Sequence, residues 1–147
     1  MIVVTIFGCI WGILQTTLGL IVYLFTAIYN RSFGYSPASG VFVFKKFFGS
    51  GVCLGELIIL EGDPEQARHN TYQNSIRHEQ GHRVQSRILG PLYLFIVGIP
   101  SLVRNIYGRL VLSKRMTILE RQIWYYGSFP ENWADSLGRV SREFKAR

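Results

Sequence analysis

Acidic residues are scarce in this sequence, and so is cysteine. Nine Asp and Glu stand against sixteen Lys and Arg, a formal charge of +7 over 147 residues. Such an excess suits a polyanion, either nucleic acid or an anionic membrane surface. The basic residues mostly flank apolar stretches, and no nucleic-acid recognition motif accompanies them. Membrane lipid is therefore the expected partner and nucleic acid is not. The two cysteines, Cys9 in an apolar run and Cys53 in an expected strand, give neither a disulfide framework nor a metal-ligand spacing, and both read as packing residues. Internal repeats and low-complexity tracts are also missing. At this length the chain has room for one domain with one core.

Charge disappears altogether from Ile2 to Tyr29. That run exceeds the roughly 20 residues a helix needs to cross a bilayer. No basic residue precedes it, and it is longer than the apolar region of a signal peptide, so residues 1–30 are expected to be a retained transmembrane helix. Every basic residue follows it. The positive-inside rule then puts the N-terminus outside and residues 31–147 in the cytoplasm.

Residues 30–40, rich in Asn, Ser, Gly and Pro, read as a connecting loop. Val41–Phe44 and Val52–Leu60 are apolar runs rich in β-branched and aromatic residues. The Gly49-Ser50-Gly51 stretch between them predicts a short β-hairpin, the alternative being a pair of membrane-surface aromatic segments. Asp63 with Pro64 offers a helix start. After a break near His69, Thr71 offers a second cap, and Gly90-Pro91 a stop. Pro91–Val103 is apolar again, but short for a crossing and interrupted by Pro91, Gly98 and Pro100. It reads as a membrane-associated segment over 91–103, re-entrant or surface-lying, or as a buried core helix. Arg83 and Arg87 before it, and Arg104, Arg109, Lys114 and Arg115 after it, fit a segment that enters and leaves one membrane face. Residues 104–124 mix basic and apolar residues and suit a helix on the membrane surface.

Two of the three histidines fall in one pentapeptide, His78-Glu79-Gln80-Gly81-His82. On a helix His78 and His82 project from one face a turn apart, and both can reach one zinc ion. Glu79, about 100° further round, is then placed to take a proton from water at the metal's open position. This is the His-Glu-x-x-His pattern of zinc metallopeptidases. Downstream, Pro130 suits a first helical turn, which stacks Glu131 and Asp135 on one face.

With Glu131 four residues before Asp135, the chain resembles the gluzincin class of zinc peptidases, in which a second helix carries a Glu-x-x-x-Asp pattern. The resemblance implies Glu131 as the third metal ligand and Asp135 as the partner that fixes the tautomer of His78. A closer likeness, over roughly residues 50–140, is to a group of small uncharacterised bacterial membrane proteins. They share runs similar to Ser50-Gly51-Val52-x-Leu54-Gly55, Arg77-His78-Glu79-x-Gly81-His82-x-x-Gln85-Ser86, Gly90-Pro91-Leu92-Tyr93, Gly98-x-Pro100-Ser101 and Glu131-x-Trp133-Ala134. The broader class also places a strand edge beside the metal helix, a role open to Val52–Leu60.

The expected fold is α+β and mostly helical: an N-terminal transmembrane helix, a short β-hairpin, zincin-like metal-site helices and the short apolar membrane-associated segment. Residues 31–147 would form the metallopeptidase-like domain. The expected function is a membrane-anchored zinc metallopeptidase acting on a peptide or protein substrate, in a bacterial inner membrane, with the catalytic part facing the cytoplasm. Glu79 would be the general base, Zn2+ the cofactor, and His78, His82 and Glu131 the ligands. Tyr125 and Tyr126 are candidate oxyanion donors or simply packing aromatics. The alternative is a membrane structural or binding protein whose metal site is structural or vestigial, with His69 or Asp135 as a fourth ligand. Arg77, Arg83 and Arg87 beside the histidines argue for a site at the membrane surface rather than within a span.

Overall fold

A computed structural model describes residues 11–30, 33–36, 40–47, 51–63 and 73–142. Helix α1 (Ile13–Tyr29) leads into strands β1 (Phe33–Ser36), β2 (Val41–Phe44), β3 (Gly51–Leu54) and β4 (Leu57–Glu61). Helix α2 (Gln73–Leu89) follows, then a 3-10 turn at Gly90–Leu92 and a π-helical turn at Leu94–Gly98. That turn runs into α3 (Ile99–Leu110), and after a 3-10 turn at Leu112–Lys114 come α4 (Ile118–Tyr126) and α5 (Glu131–Gly138).

The strands are apolar without alternation because both faces of the sheet are covered. Val41 and Val43 of β2 join Cys53, Ile58, Leu60 and Ile76 of α2 in one cluster. The alternate residues Phe42 and Phe44 turn the other way, to the Tyr23 ring of α1, at centroid distances of 4.7 and 5.8 Å. The sheet thus lies between α1 and α2. Its order is β1-β2-β4-β3, which makes β3 an outer strand.

The hairpin differs from expectation. Val41–Phe44 pairs in parallel with β4, and the antiparallel hairpin lies inside the second run, with β3 and β4 turning at Gly55-Glu56. Gly55 has φ +63°, and a Cβ there would strike Thr16 of α1, so only glycine turns the chain at this point. The stretch read as a loop contains β1, antiparallel to β2. Gly49, Ser50, Pro64, His69 and Thr71 lie outside the described residues, as do Cys9 and the rest of residues 1–10.

Helix α1 is built inside out. Its buried residues are Gln15, Gly19 and Thr26, while Leu14, Leu18, Ile21, Leu24, Phe25 and Ile28 are exposed. Gln15 donates through Nε2 to Ser86 Oγ (3.0 Å) and to the Gly90 carbonyl (2.8 Å). A Cβ on Gly19 would lie 2.8 Å from the Leu54 carbonyl oxygen, so glycine lets α1 lie directly on the β3–β4 turn. The helix is therefore part of the domain's packing, its most buried residues small or polar and most of its exposed ones apolar. Its described length is 17 residues, short of the roughly 20 that span a bilayer.

Helix α2 ends where expected, at Gly90, whose φ is +53°. The apolar segment beyond it is not short. Pro100 follows directly on the π-helical turn without ending the helix, and helical structure runs from Leu94 to Lys114. Those 21 residues are long and apolar enough to cross a membrane, about 31 Å at 1.5 Å per residue. Arg83 and Arg87 turn inward: Arg87 makes a bidentate pair with Glu56 (2.7 Å each), and Arg83 donates to the carbonyls of Gly40 and Glu56. They tie α2 to the sheet, which removes two of the three arginines from the argument for a surface site.

Candidate metal centre

Helices α2 and α5 meet backbone to backbone. A Cβ on Gly81 would lie 2.0 Å from the Ala134 carbonyl oxygen, and one on Gly138 would lie 1.9 Å from that of Arg77. Glycine on each helix at the crossing brings the histidine face of α2 onto the first turn of α5. His78 Nε2 lies 2.9 Å from Glu131 Oε2, and His82 Nε2 lies 3.2 Å from the same oxygen. The ligand atoms of His78, His82 and Glu131 all fall within 4.8 Å of one another, and all three residues are buried.

The outer nitrogens settle the tautomers. His78 Nδ1 faces Asp135 Oδ1 at 2.8 Å, and His82 Nδ1 faces Gln85 Oε1 at 2.7 Å. Gln85 donates through Nε2 to the Pro130 carbonyl (3.2 Å), which fixes its amide with the oxygen toward His82. Both partners can only accept, so both Nδ1 atoms carry protons and both Nε2 atoms are left for the shared point at Glu131. Tetrahedral zinc, with bonds near 2.1 Å, separates its ligand atoms by about 3.4 Å. The two distances from Glu131 Oε2 to the histidine nitrogens, 2.9 and 3.2 Å, fall within about half an ångström of that value. The residues fit a metal ion, and two imidazoles with one carboxylate are a donor set that zinc accepts.

Glu131 is fully buried at the start of α5. Its Oε1 accepts from Ser101 Oγ of α3, and Ser101 in turn accepts from the Tyr125 hydroxyl (3.1 Å). Burial works against charge on His78, but hydrogen bonds to Asp135 and Glu131 outweigh it and hold its pKa up to about 9. Burial likewise works against charge on Glu131, yet the hydrogen bonds from the two histidines prevail and keep its carboxyl well below the usual range. Without a metal the centre is thus an imidazolium–carboxylate pair, whose proton a metal would displace. Asp135 is held from behind by Arg142, which donates through Nε to Oδ2 (2.7 Å) and through Nη2 to Oδ1 (2.8 Å). The Arg142 guanidinium lies 3.4 Å over the Tyr126 ring.

Glu79 stands apart from the three ligands. A Cβ on Gly51 of β3 would lie 2.7 Å from Glu79 Oε1, so the carboxylate rests against the outer strand. Burial pushes its pKa up, partly opposed by His78 and His82. Glu79, the two histidines and Glu131 line one cavity of about 860 Å³, bounded also by α1, β3, α3 and α4. Tyr125 and Tyr126 line it too. The Tyr125 hydroxyl is engaged with Ser101. The Tyr126 ring stands edge-on to His78 at 5.2 Å. Asp135, bonded to His78 and Arg142, is not a ligand atom in this cluster, and His69 lies outside the described residues.

No protein-family model matches the chain, and no curated protein or solved structure matches it either. The chemistry of the centre therefore rests on its own geometry. Three participants carry no signal of their own in the sequence. Gln85 was visible only as part of a similar run in the resembling proteins. Ser101 likewise stands only in the similar run Gly98-x-Pro100-Ser101 within an apolar segment, and Arg142 is one of several basic residues near the C-terminus. What could have pointed to Gln85 is its place three residues after His82 on the same helix, within reach of that imidazole.

Proposed function

We propose that this chain is a membrane-associated zinc metallopeptidase of the gluzincin type. The observation that carries this reading is the convergence of His78 Nε2, His82 Nε2 and Glu131 Oε2, with both Nδ1 atoms already spent on Asp135 and Gln85 and a separate buried carboxylate, Glu79, in the same cavity. A purely structural centre has no use for the last feature. Zinc in such a site supplies Lewis acidity at a carbonyl oxygen and a water whose pKa is near 7.

The chain's own residues do the rest. Glu79, with its proton affinity raised by burial, takes a proton from the attacking water and passes it to the leaving amine nitrogen. Asp135, backed by Arg142, and Gln85 hold the two imidazoles in the tautomer that leaves Nε2 free. Tyr126, edge-on to His78 and lining the same cavity, keeps its phenol proton because burial raises its pKa, and it is our candidate donor to a developing oxyanion. Strand β3, an outer strand among the described residues and the one against which Glu79 rests, is the strand to which an extended main chain would add.

The test is metal content and turnover together. Purified without chelator, the protein should carry one zinc per chain by elemental analysis, and His78→Ala should lose it. Glu79→Gln should keep the zinc and the fold while losing at least about 10²- to 10⁴-fold in chelator-sensitive hydrolysis of a peptide library. Full-rate hydrolysis by Glu79→Gln would refute the assigned base.

A further inference from the structure

The cavity that contains the metal centre is far larger than the centre needs, and its far end is basic. Leu18 and Val22 of α1, Val52 and Leu54 of β3, and Leu94 and Leu102 form apolar walls. Helices α3 and α4 close the remaining side, and Ser101 bonds Tyr125 where they meet beside Glu131. Moving away from the metal centre, Arg104 comes next on α3, its guanidinium 3.9 Å over the Trp124 ring of α4. Beyond it Arg109 of α3 and Arg121 of α4 line the same space. Arg104 and Arg121 each keep a buried Nε–H with no hydrogen-bond partner among the described residues. Buried unsatisfied donors in a cavity wall ask for an acceptor, and the two guanidinium groups that carry them ask for an anionic one.

We propose, resting on the peptidase reading, that the substrate is an apolar polypeptide segment with an acidic side chain close to the bond to be cut, its apolar side chains in this cavity and its carboxylate on Arg104 and Arg121. Helix rise puts Arg104 about 4.5 Å along α3 from Ser101, and Arg121 about 6 Å along α4 from Tyr125. An extended chain covers about 3.3 Å per residue, so the acidic residue sits about one or two positions from the scissile bond. A polypeptide is favoured over an anionic lipid because β3, an outer strand of the sheet among the described residues, lines the cavity, and the main-chain groups of an outer strand suit an extended peptide and not an acyl chain.

The experiment uses the zinc-loaded full chain in nanodiscs of neutral phosphatidylcholine, with fluorescein-labelled ten-residue peptides of Leu, Val and Ala carrying one Glu, Gln or Lys. Fluorescence polarisation with the Glu79→Gln protein reads binding without turnover, and wild-type protein on the same peptides reads cleavage. The Glu peptide should bind at least 10-fold more tightly than the Gln peptide and more tightly still than the Lys peptide. Arg121→Gln should abolish that preference, Arg121→Lys should keep most of it, and Arg121→Glu should invert it toward the Lys peptide. Equal binding of the three peptides would overturn the proposal. So would arginine-dependent binding of phosphatidylglycerol vesicles with no preference among peptides, which would assign the basic end to a lipid headgroup. Charge-selective binding without cleavage upholds the acidic-peptide site while refuting the peptidase reading, and with it the ligand's role as substrate. Cleavage without charge selectivity does the reverse.

Discussion

His82 depends on Gln85 as His78 depends on Asp135, although only the second pair belongs to a recognised pattern. Loss of an acceptor at Nδ1 frees the ring to rotate and to change tautomer. Metal affinity typically falls 10- to 100-fold when such a partner is lost. Gln85→Ala, which removes the acceptor, and Asp135→Asn, which removes the charge paired with Arg142, should each weaken zinc by that amount in competition with a chromogenic chelator. Gln85→Glu, which keeps an acceptor oxygen, should restore most of it. Glu131→Gln removes a ligand and should cost far more than either. The raised pKa of His78 has a consequence with a definite sign. A group whose pKa is raised on folding stabilises the fold fully below its ordinary 6.5 and loses that contribution as pH climbs through about 9. The melting temperature of the metal-free protein should therefore fall between pH 6.5 and 9. Zinc-loaded protein, its imidazoles already free of the proton, should show no fall in that window.

At the scale of elements, the site exists because α2 and α5 touch through glycine. A methyl group at either position meets a carbonyl oxygen of the opposite helix, and neither backbone can yield without moving ligands. Gly81→Ala and Gly138→Ala should each destabilise the protein by about 1–3 kcal/mol in urea denaturation, the usual cost of overpacking. Both should also reduce zinc affinity without touching a ligand. That combined loss separates helix spacing from ligand chemistry, since Asp135→Asn affects affinity more than fold. The hairpin shows why elements were only partly legible. Two apolar runs across a Gly-Ser-Gly stretch imply a turn there, but the parallel pairing of β2 with β4 satisfies the same apolar pattern. Periodicity carries no sign that distinguishes them, because both strands are covered on both faces.

For the whole molecule, the outer faces of α1 and α3 present apolar side chains continuously, and none of the residues of α3 is buried. Val103 and Ile106 lie near the middle of the stretch from Leu94 to Lys114 and are 58% and 47% exposed. An Asp at the centre of a membrane helix costs about 2.5–3.5 kcal/mol. Val103→Asp with Ile106→Asp should release the protein from carbonate-washed membranes, whereas Ser113→Asp, at the exposed end of the helical stretch, should leave it in the pellet.

The metal centre was written locally: histidines one turn apart on α2, and a glutamate and an aspartate one turn apart on α5, are separations that helix geometry alone converts into shared faces. The stop at Gly90 was equally local, since a left-handed residue ends a helix wherever it stands. Contacts between distant segments were not. The pairing of Arg83 and Arg87 with the β3–β4 turn, the seat of α1 on that turn, and the support of Glu131 by Ser101 arise from packing, which a one-dimensional pattern does not encode. An apolar outer face and an apolar inner face look alike in sequence. Only tertiary structure decides which way α1 turns its leucines, and that choice fixes where the apolar outer face, the cavity and the His78–His82–Glu131 cluster lie.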